Sequence, residues 1–383
     1  MSWPAGRTAN EQKGGGTMNA VPKTMAAVLL TGHGGPEKLE YRTDVPVPQP
    51  RADEVLIRVE AAGMNNTDVN TRIGWYSKAV HGDTNSTAAG PGQADDDDAS
   101  WSGVPLSFPR IQGGDVYGRI VAVGDDVDGD RLGEAVVVRN LMRHYVDRRS
   151  YECWTYGSDC DGGFAQYAVA PSSESFAVRS DLSPAELGTI SIAFTTAEGM
   201  LYRAGVGAER VLITGASGGV GLAAVELAKL RGAEVIAVCS AGKTDAVRAA
   251  GADRVIDRDA DVVAELGARS VDVVVDVIGG EGVNDLLSVL RRGGRYAIAG
   301  AIGGPLAEID LRIVYLNDLS LFGCTFQEDA VIENVVRYIN EGRLHPLVSK
   351  TYPLSEIHQA QEDFIAKKYP GKLVLIPPHD VEG

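Results

Sequence analysis

The sequence predicts a two-part α/β protein: a doubly wound parallel sheet with helices on both faces, preceded by a β-rich domain. Three observations lead there. The chain has 383 residues, about two ordinary domains' worth. From Ala185 to about Leu319, short apolar strands alternate with helix-like segments, as a sheet covered on both faces requires. From Met25 to about Ser180 the pattern is short, strand-like and punctuated by Gly and Pro.

The elements follow in order. Residues 1–24 are rich in Gly, Thr, Asn and Lys and read as a flexible tail. Val55–Gly63 (VLIRVEAAG) alternates apolar and polar residues, as a half-buried strand does. Arg119–Gly124 (RIVAVG) and Gly133–Val138 (GEAVVV) are two more strands. Ser77–Gly103 breaks the rhythm: it is polar and Gly-rich and carries the run Asp95–Asp98. Calcium loops need alternating ligands and a turn glycine at a fixed offset, so the run reads as a solvated loop. In the second half, strands are expected at Arg210–Gly215, Glu234–Ser240, Arg254–Asp257, Val271–Gly280, Arg295–Gly300 and Leu319–Thr325. Helical segments lie between them, including Gly218–Gly232 and GVNDLLSVLRRGG. ENVVRYINEG and EIHQAQEDFIAKK then read as helices, and Gly371–Pro377 (GKLVLIP) as a strand returning to the first domain.

Composition narrows the function. The 36 basic and 52 acidic residues give a net charge of −16, which repels nucleic acid and anionic membrane. There is no apolar run of about 18 residues and no secretory-signal pattern. Four cysteines form no disulfide framework, so a cytoplasmic location is expected.

The segment VLITGASGGVGLAAVELAK runs a strand into a glycine cluster and then a helix. Ala216, Gly218 and Gly221 supply the three small positions of a dinucleotide loop, with Ser217, Gly219 and Val220 between them. Ala216 is expected to allow the tight turn, Gly218 the approach of a pyrophosphate, and Gly221 close helix–strand packing. The helix N-terminus offers free N–H groups to phosphate. The second strand ends without the carboxylate that would hold a ribose 2′-hydroxyl. Ser240 and Lys243 stand there instead, with Arg258 after the third strand, which favours NADP(H). This is a Rossmann domain, set at 181–325. Residues 25–180 and 326–383 form the other domain.

Together the pieces resemble the medium-chain dehydrogenase/reductase superfamily, from Met25 onward. AAVLLTGHGGPEKLEYRTDVPVPQPRADEVLIRVEAAGMNNTDV is similar to the opening of its members, and Phe194–Leu201 to its interdomain helix. GASGGVG and Met64–Tyr76 (MNNTDVNTRIGWY) resemble the zinc-free quinone oxidoreductase branch, with matches at Asn65, Asp68, Arg72, Gly74 and Tyr76. The chain departs at Asn70, where that branch often carries tyrosine. The resemblance implies a GroES-like β-rich catalytic domain and a homodimer. Zinc alcohol dehydrogenases place their metal ligands at positions held here by Asn65, Gly114 and Ile192, none of which replaces a thiolate or imidazole. Cys153, Cys160 and His144 match no standard metal spacing, so no metal is expected.

The implied chemistry is hydride transfer to a conjugated carbonyl, an enone or a quinone. Its developing negative charge spreads through the π system, so hydrogen-bond donors can replace a Lewis acid. Asn65, Thr67 and Tyr76 are the expected donors, and water supplies the last proton. Asn65 and Asp68 could equally do no more than shape the turn and helix cap. By resemblance Thr196 faces the nicotinamide or its ribose, Ala301 and Ile302 underlie the ring, and Phe322–Cys324 hold its carboxamide. Two rivals stand beside this reading. One is an alcohol/aldehyde dehydrogenase using a hydroxyl relay through Thr67; the other is a non-redox dinucleotide-binding protein.

Overall fold

A computed structural model describes residues 21–84 and 98–379. Residues 1–20 of the expected tail and Asp95–Asp97 therefore fall outside the described residues, while Thr24, the last residue of that tail, begins the strand Thr24–Leu30 and pairs with Pro46.

The C-terminal half contains a six-stranded, all-parallel sheet. Its order is Arg254–Asp257, Glu234–Cys239, Arg210–Ile213, Val271–Asp276, Leu290–Ile298, Ser320–Gly323. The central strands are buried along nearly their whole length, which is why they read as continuous apolar runs. Strand order reverses beside Arg210–Ile213, and ligands bind such sheets at that switch point.

The N-terminal half is antiparallel. Glu54–Gly63 pairs with Tyr117–Val123 on one side and Lys372–Ile376 on the other. The return strand is thus a member of the first domain's sheet. Its parallel neighbour Val348–Pro353 completes that edge. One large cluster of buried residues covers one face of the parallel sheet and reaches Tyr117 and Val137 of the antiparallel domain, a second, including Leu212, Ile236 and Val274, covers its other face, and a third forms the core of the antiparallel domain.

Three local readings differ from expectation. The helix expected through GVNDLLSVLRRGG stops at Ser288, and the following strand runs Leu290–Ile298. Leu290 pairs with Val271, so ladder bonds capture residues that local propensity leaves open. The helix Asp329–Asn340 buries Val335 and Ile339 in the core of the parallel-sheet domain, although 326–383 was assigned to the other domain. The interdomain helix Thr195–Arg203 is preceded by a π-helical turn, Ile190–Phe194, that the apolar pattern did not signal. Such turns recur at functional sites.

Candidate active site

A cleft of about 970 Å³ opens at the switch point. Ser217, Gly218 and Gly219 line it, together with Ser240, Lys243, Arg258 and Ile302. Gly218 caps the helix Gly219–Leu230 in extended backbone conformation, leaving the first N–H groups of the helix free. A Cβ on Gly218 would meet nothing nearer than 3.5 Å, so the protein itself leaves room there. On Gly221 a Cβ would lie 2.2 Å from the Gly215 carbonyl, so that glycine is required by packing, as expected. The tight turn belongs to Gly215, not Ala216. Gly215 holds φ +58°, a left-handed conformation that alanine adopts poorly, while Ala216 is buried and donates its N–H to Val238.

The cleft fits a dinucleotide at both ends. Towards its inner end, Thr214, Ile278 and Gly279 form wall. Buried Asp276 fixes that wall: it accepts N–H bonds from Ile278 (2.8 Å) and Gly279 (3.1 Å) and hydroxyl bonds from Thr214 and Tyr296. Ala301 backs onto Gly279. Thr196 is partly exposed at the start of the interdomain helix, beside buried Thr195. Phe322 and Cys324 lie on and just past the sheet's edge strand. Like Ala216, Val220, Gly221 and Thr196, they are not among the cleft-lining residues.

The outer end is cationic. Lys243 donates to the carbonyls of Lys367 (2.6 Å) and Tyr369 (3.2 Å). Burial lowers its pKa, and the neighbouring Arg258 lowers it further. Lys367 donates to Asn66 Oδ1 at 2.7 Å, and burial, aided by Lys243, brings its pKa down to about 8. Sequence reading missed Lys367. Its signal was present in the basic stretch before GKLVLIP, but only the return of the chain shows that it faces the dinucleotide loop. That return is pinned where Gly371 donates its N–H to Ser217 at 2.8 Å.

On the catalytic-domain side, Asn65 is buried and its amide is spent. Nδ2 donates to Gly63 O (3.2 Å) and Asp115 Oδ2 (2.9 Å), and Oδ1 accepts from Lys372 Nζ (2.6 Å). Both amide hydrogens are engaged, so Asn65 holds no spare donor for a substrate here. Lys372 also donates to Asp115 Oδ2 (2.8 Å) and Met64 O (2.7 Å). Asp115 Oδ1 accepts the Ile192 N–H at 2.5 Å. One ion pair thus ties together the N-cap of the helix Asn66–Ile73, the π-helical turn and the return strand. The Lys372 stem packs against Gly219, where a Cβ would lie 2.5 Å from Cδ. Neither Asp115 nor Lys372 was singled out from sequence, since lone charged residues give no local signal of pairing.

The helix Asn66–Ile73 and the turn after it carry the remaining groups. Its first turn is held by Asp68, which accepts the Asn65 N–H at 2.7 Å, as the helix-cap reading of that residue had it. Burial pushes the Asp68 carboxyl up to about 7, against the opposing pull of the Asn65 and Gly113 N–H groups and Lys372. Thr67 is partly exposed beside Asn66, a residue of the cleft wall. Tyr76 donates its hydroxyl hydrogen to Thr67 Oγ1 at 3.1 Å. Burial raises the Tyr76 phenol far above its ordinary value. Trp101, from the far end of the Ser77–Gly103 segment, packs edge-on against Tyr76 with ring centroids 5.2 Å apart. Trp75 flanks the same ring at 5.7 Å.

Comparison with known proteins agrees with this architecture. Residues 51–180 match the alcohol dehydrogenase GroES-like domain family, and 219–341 match the zinc-binding dehydrogenase family. A solved structure from Sinorhizobium meliloti, assigned as an alcohol dehydrogenase, is 46% identical, with a TM-score of 0.85. The match covers 94% of this chain and 99% of that one. The chain belongs to the medium-chain dehydrogenase/reductase superfamily. It is therefore a nicotinamide-dinucleotide oxidoreductase. Among curated relatives, the human quinone oxidoreductase is 29% identical over 92% of this chain and 98% of its own length. An NAD-dependent alcohol dehydrogenase of Sulfurisphaera tokodaii is 28% identical over 92% of this chain and all of its own.

One matched family is described as zinc-binding, so the fit to zinc matters. The residues do not fit. A Cβ at Gly114 would lie 2.2 Å from Asn140 Nδ2 and 2.7 Å from Ile192 Cδ1, which leaves no space for an imidazole. Ile192 offers no side-chain donor atom. The Lys372 ammonium already engages Asn65 Oδ1 and Asp115 Oδ2. Among the described residues, no three His, Cys, Asp or Glu side chains are grouped to hold a metal. Cys153 and Cys160 are free thiols, and His144 pairs with Asp53 at 2.7 Å.

Proposed function

We propose that this protein is an NADPH-dependent reductase of conjugated carbonyls, enones or quinones, that works without catalytic zinc. The observation that carries the reading is the closed Lys372–Asp115–Asn65 network, which occupies the segments that carry zinc ligands in related dehydrogenases.

A reduced nicotinamide bound in the cleft supplies hydride. The chain's own residues do the rest. The free N–H groups in the first turn of the helix Gly219–Leu230 receive the pyrophosphate, and Lys243, Arg258 and Lys367 face the 2′-phosphate. Thr67 accepts the Tyr76 hydrogen, so its own hydrogen is free to donate to the substrate oxygen. As hydride adds to the β-carbon, the π electrons move to that oxygen, where Thr67 steadies the charge. One donor of this kind is worth about 3 kcal/mol. Water then protonates the α-carbon. The Tyr76–Trp101 pair supports a flat, unsaturated substrate.

A homodimer is part of the proposal. Leu311, Tyr315 and Leu316 on one short helix and Leu321 on the sheet's edge strand are all exposed and apolar. An unpaired edge strand beside such a patch is suited to a second copy.

An alcohol dehydrogenase is the second reading, favoured by the 46% identity to the Sinorhizobium meliloti protein. Oxidation of NADPH by EDTA-treated protein, with quinones, enones and aldehydes in turn and NADH in parallel, separates the two. Turnover of enones or quinones, insensitive to chelation and weak with NADH, supports the reductase. Activity confined to saturated aldehydes or alcohols after zinc is restored overturns it.

A further inference from the structure

Residues 139–152 leave the β-rich domain and clasp the other one. Arg139 follows the strand Ala135–Val138 and is almost fully buried. Its Nη1 lies 2.8 Å from Asp329 Oδ1 and 3.3 Å from Glu174 Oε2. Arg143 Nη1 and Arg148 Nη1 approach the same Asp329 carboxylate at 3.6 Å and 3.3 Å. Asp329 opens the helix Asp329–Asn340, which packs into the core of the parallel-sheet domain. Three cations of one domain thus share one carboxylate of the other. Glu174, in their own domain, offers Arg139 one oxygen. Its other oxygen accepts the N–H groups of Arg143 (2.9 Å) and His144 (2.8 Å).

Ring contacts reinforce the clasp. The Arg143 guanidinium lies over the Phe326 ring at 4.8 Å, and Tyr151 packs against that ring with centroids 5.1 Å apart. Arg203 of the interdomain helix lies over Tyr151 at 5.4 Å. The backbone here is strained. Three of the six left-handed non-glycine residues among those described are Asp147 (φ +51°), Arg148 (φ +53°) and Tyr151 (φ +64°). Such strain persists only where the surroundings hold it, and it gathers at clamps and switches.

The gripped segment leads to the interdomain helix. Between Phe326 and Asp329, Gln327 Nε2 donates to Thr195 Oγ1 at 3.0 Å. Thr195 donates in turn to Ser191 O at 2.7 Å, in the π-helical turn that Asp115 holds through Ile192. No residue of 139–152 or 326–329 lines the dinucleotide cleft. The walls of that cleft come from both domains, with Asn66 and Lys367 from one and Ser217 and Ile278 from the other. The clasp therefore reaches the cleft only through the relation of the two domains.

We propose that Asp329 is a positioning residue: as the catch for Arg139, Arg143 and Arg148, it fixes the interdomain helix against the β-rich domain, sets the width of the dinucleotide cleft and so governs how fast the dinucleotide leaves. The inference needs neither a preference for NADPH nor a conjugated substrate, so it fails or survives separately from that reading. Releasing the catch frees residues 326–329 and opens the cleft without removing any group that lines it.

The test is Asp329→Asn in the full chain, with Arg148→Gln and the double variant beside it, each checked for fold by melting temperature. Arg148 is half exposed, so its replacement spares the core. Stopped-flow fluorescence follows the dissociation of NADPH and of NADH. Asp329→Asn should speed the release of both by the same factor, about tenfold, the worth of one hydrogen bond to a charged group. Arg148→Gln should speed it about threefold, as suits a half-exposed ion pair. The double variant should release no faster than Asp329→Asn alone, because both changes open one catch. Trypsin should cut after Arg148 or Arg149 sooner in dinucleotide-free Asp329→Asn than in wild type. A folded Asp329→Asn that releases both dinucleotides at the wild-type rate overturns the proposal, whatever its melting temperature. Effects that multiply in the double variant overturn it too, since the two groups would then act apart. Faster release confined to NADPH assigns the effect to the 2′-phosphate end and overturns it, as does faster release without earlier cleavage.

Discussion

Lys372→Met isolates the contribution of the buried network. Lys372 and Asp115 are both almost fully buried, and Nζ makes three bonds of 2.6–2.8 Å. Methionine keeps most of the stem that packs on Gly219 but removes the charge. Asp115 would retain the N–H of Ile192 and the amide of Asn65 while losing the buried cation paired with it. Breaking a buried pair from one side costs about 3–5 kcal/mol. The two surviving donors place the expected loss at the lower end, about 3 kcal/mol. Removing both charges in Lys372→Met/Asp115→Asn should recover part of it, because no uncompensated buried charge remains. The double variant should then be less damaged than the two singles added together, by about 1–3 kcal/mol. Urea unfolding followed by fluorescence and circular dichroism measures all four proteins. A single-variant loss below about 1 kcal/mol, or strict additivity, would refute the reasoning that this pair fastens the three segments.

Four further outcomes are expected. Lys243→Ala should weaken NADPH binding about tenfold to a hundredfold, the worth of one charge-assisted phosphate bond, and leave NADH within about threefold; equal loss for both in a fluorescence titration would count against 2′-phosphate recognition. A phosphate in the cleft favours charged Lys367, whose pKa is lowered to about 8. NADPH affinity should therefore be highest below pH 8 and fall above it, and calorimetry in two buffers should detect proton uptake near that pH. Folding raises the Asp68 carboxyl from 3.8 to about 7, so the folded chain binds an extra proton in between. Stability from this group is present below about pH 4 and lost as pH rises towards 7; the stability of Asp68→Asn relative to wild type should improve across that window, and a constant difference would contradict it. Finally, Leu311→Glu/Tyr315→Glu should shift the mass seen by light scattering from dimer to monomer, while an unchanged mass would place any dimer contact elsewhere.

Much of the fold was legible in the chain itself. A parallel strand buried on both faces must be apolar throughout, so Val211–Ile213, Val235–Ala237 and Val273–Val275 announced the sheet without reference to anything distant. The dinucleotide loop was legible for the same reason: strand, glycine turn and helix lie within one short segment, and sterics at Gly215 and Gly221 act between near neighbours. Zinc ligation could be doubted from residue type alone at Asn65, Gly114 and Ile192.

The tertiary structure decided what those residues do instead. Lys372 meets Asn65 across 307 positions and Asp115 across 257, and Lys367 meets Asn66 across 301. No local pattern encodes such pairings, because charge attraction and burial depend on where the return strand lies, not on its neighbours in sequence. The same separation explains Asn65. Its amide read from sequence as a free donor, and the folded chain engages both of its hydrogens. Thr67 on the helix Asn66–Ile73 and Tyr76 just past its cap are close in sequence, so their residue types were visible. That their hydroxyls bond was not, because the contact depends on how the chain turns past Gly74.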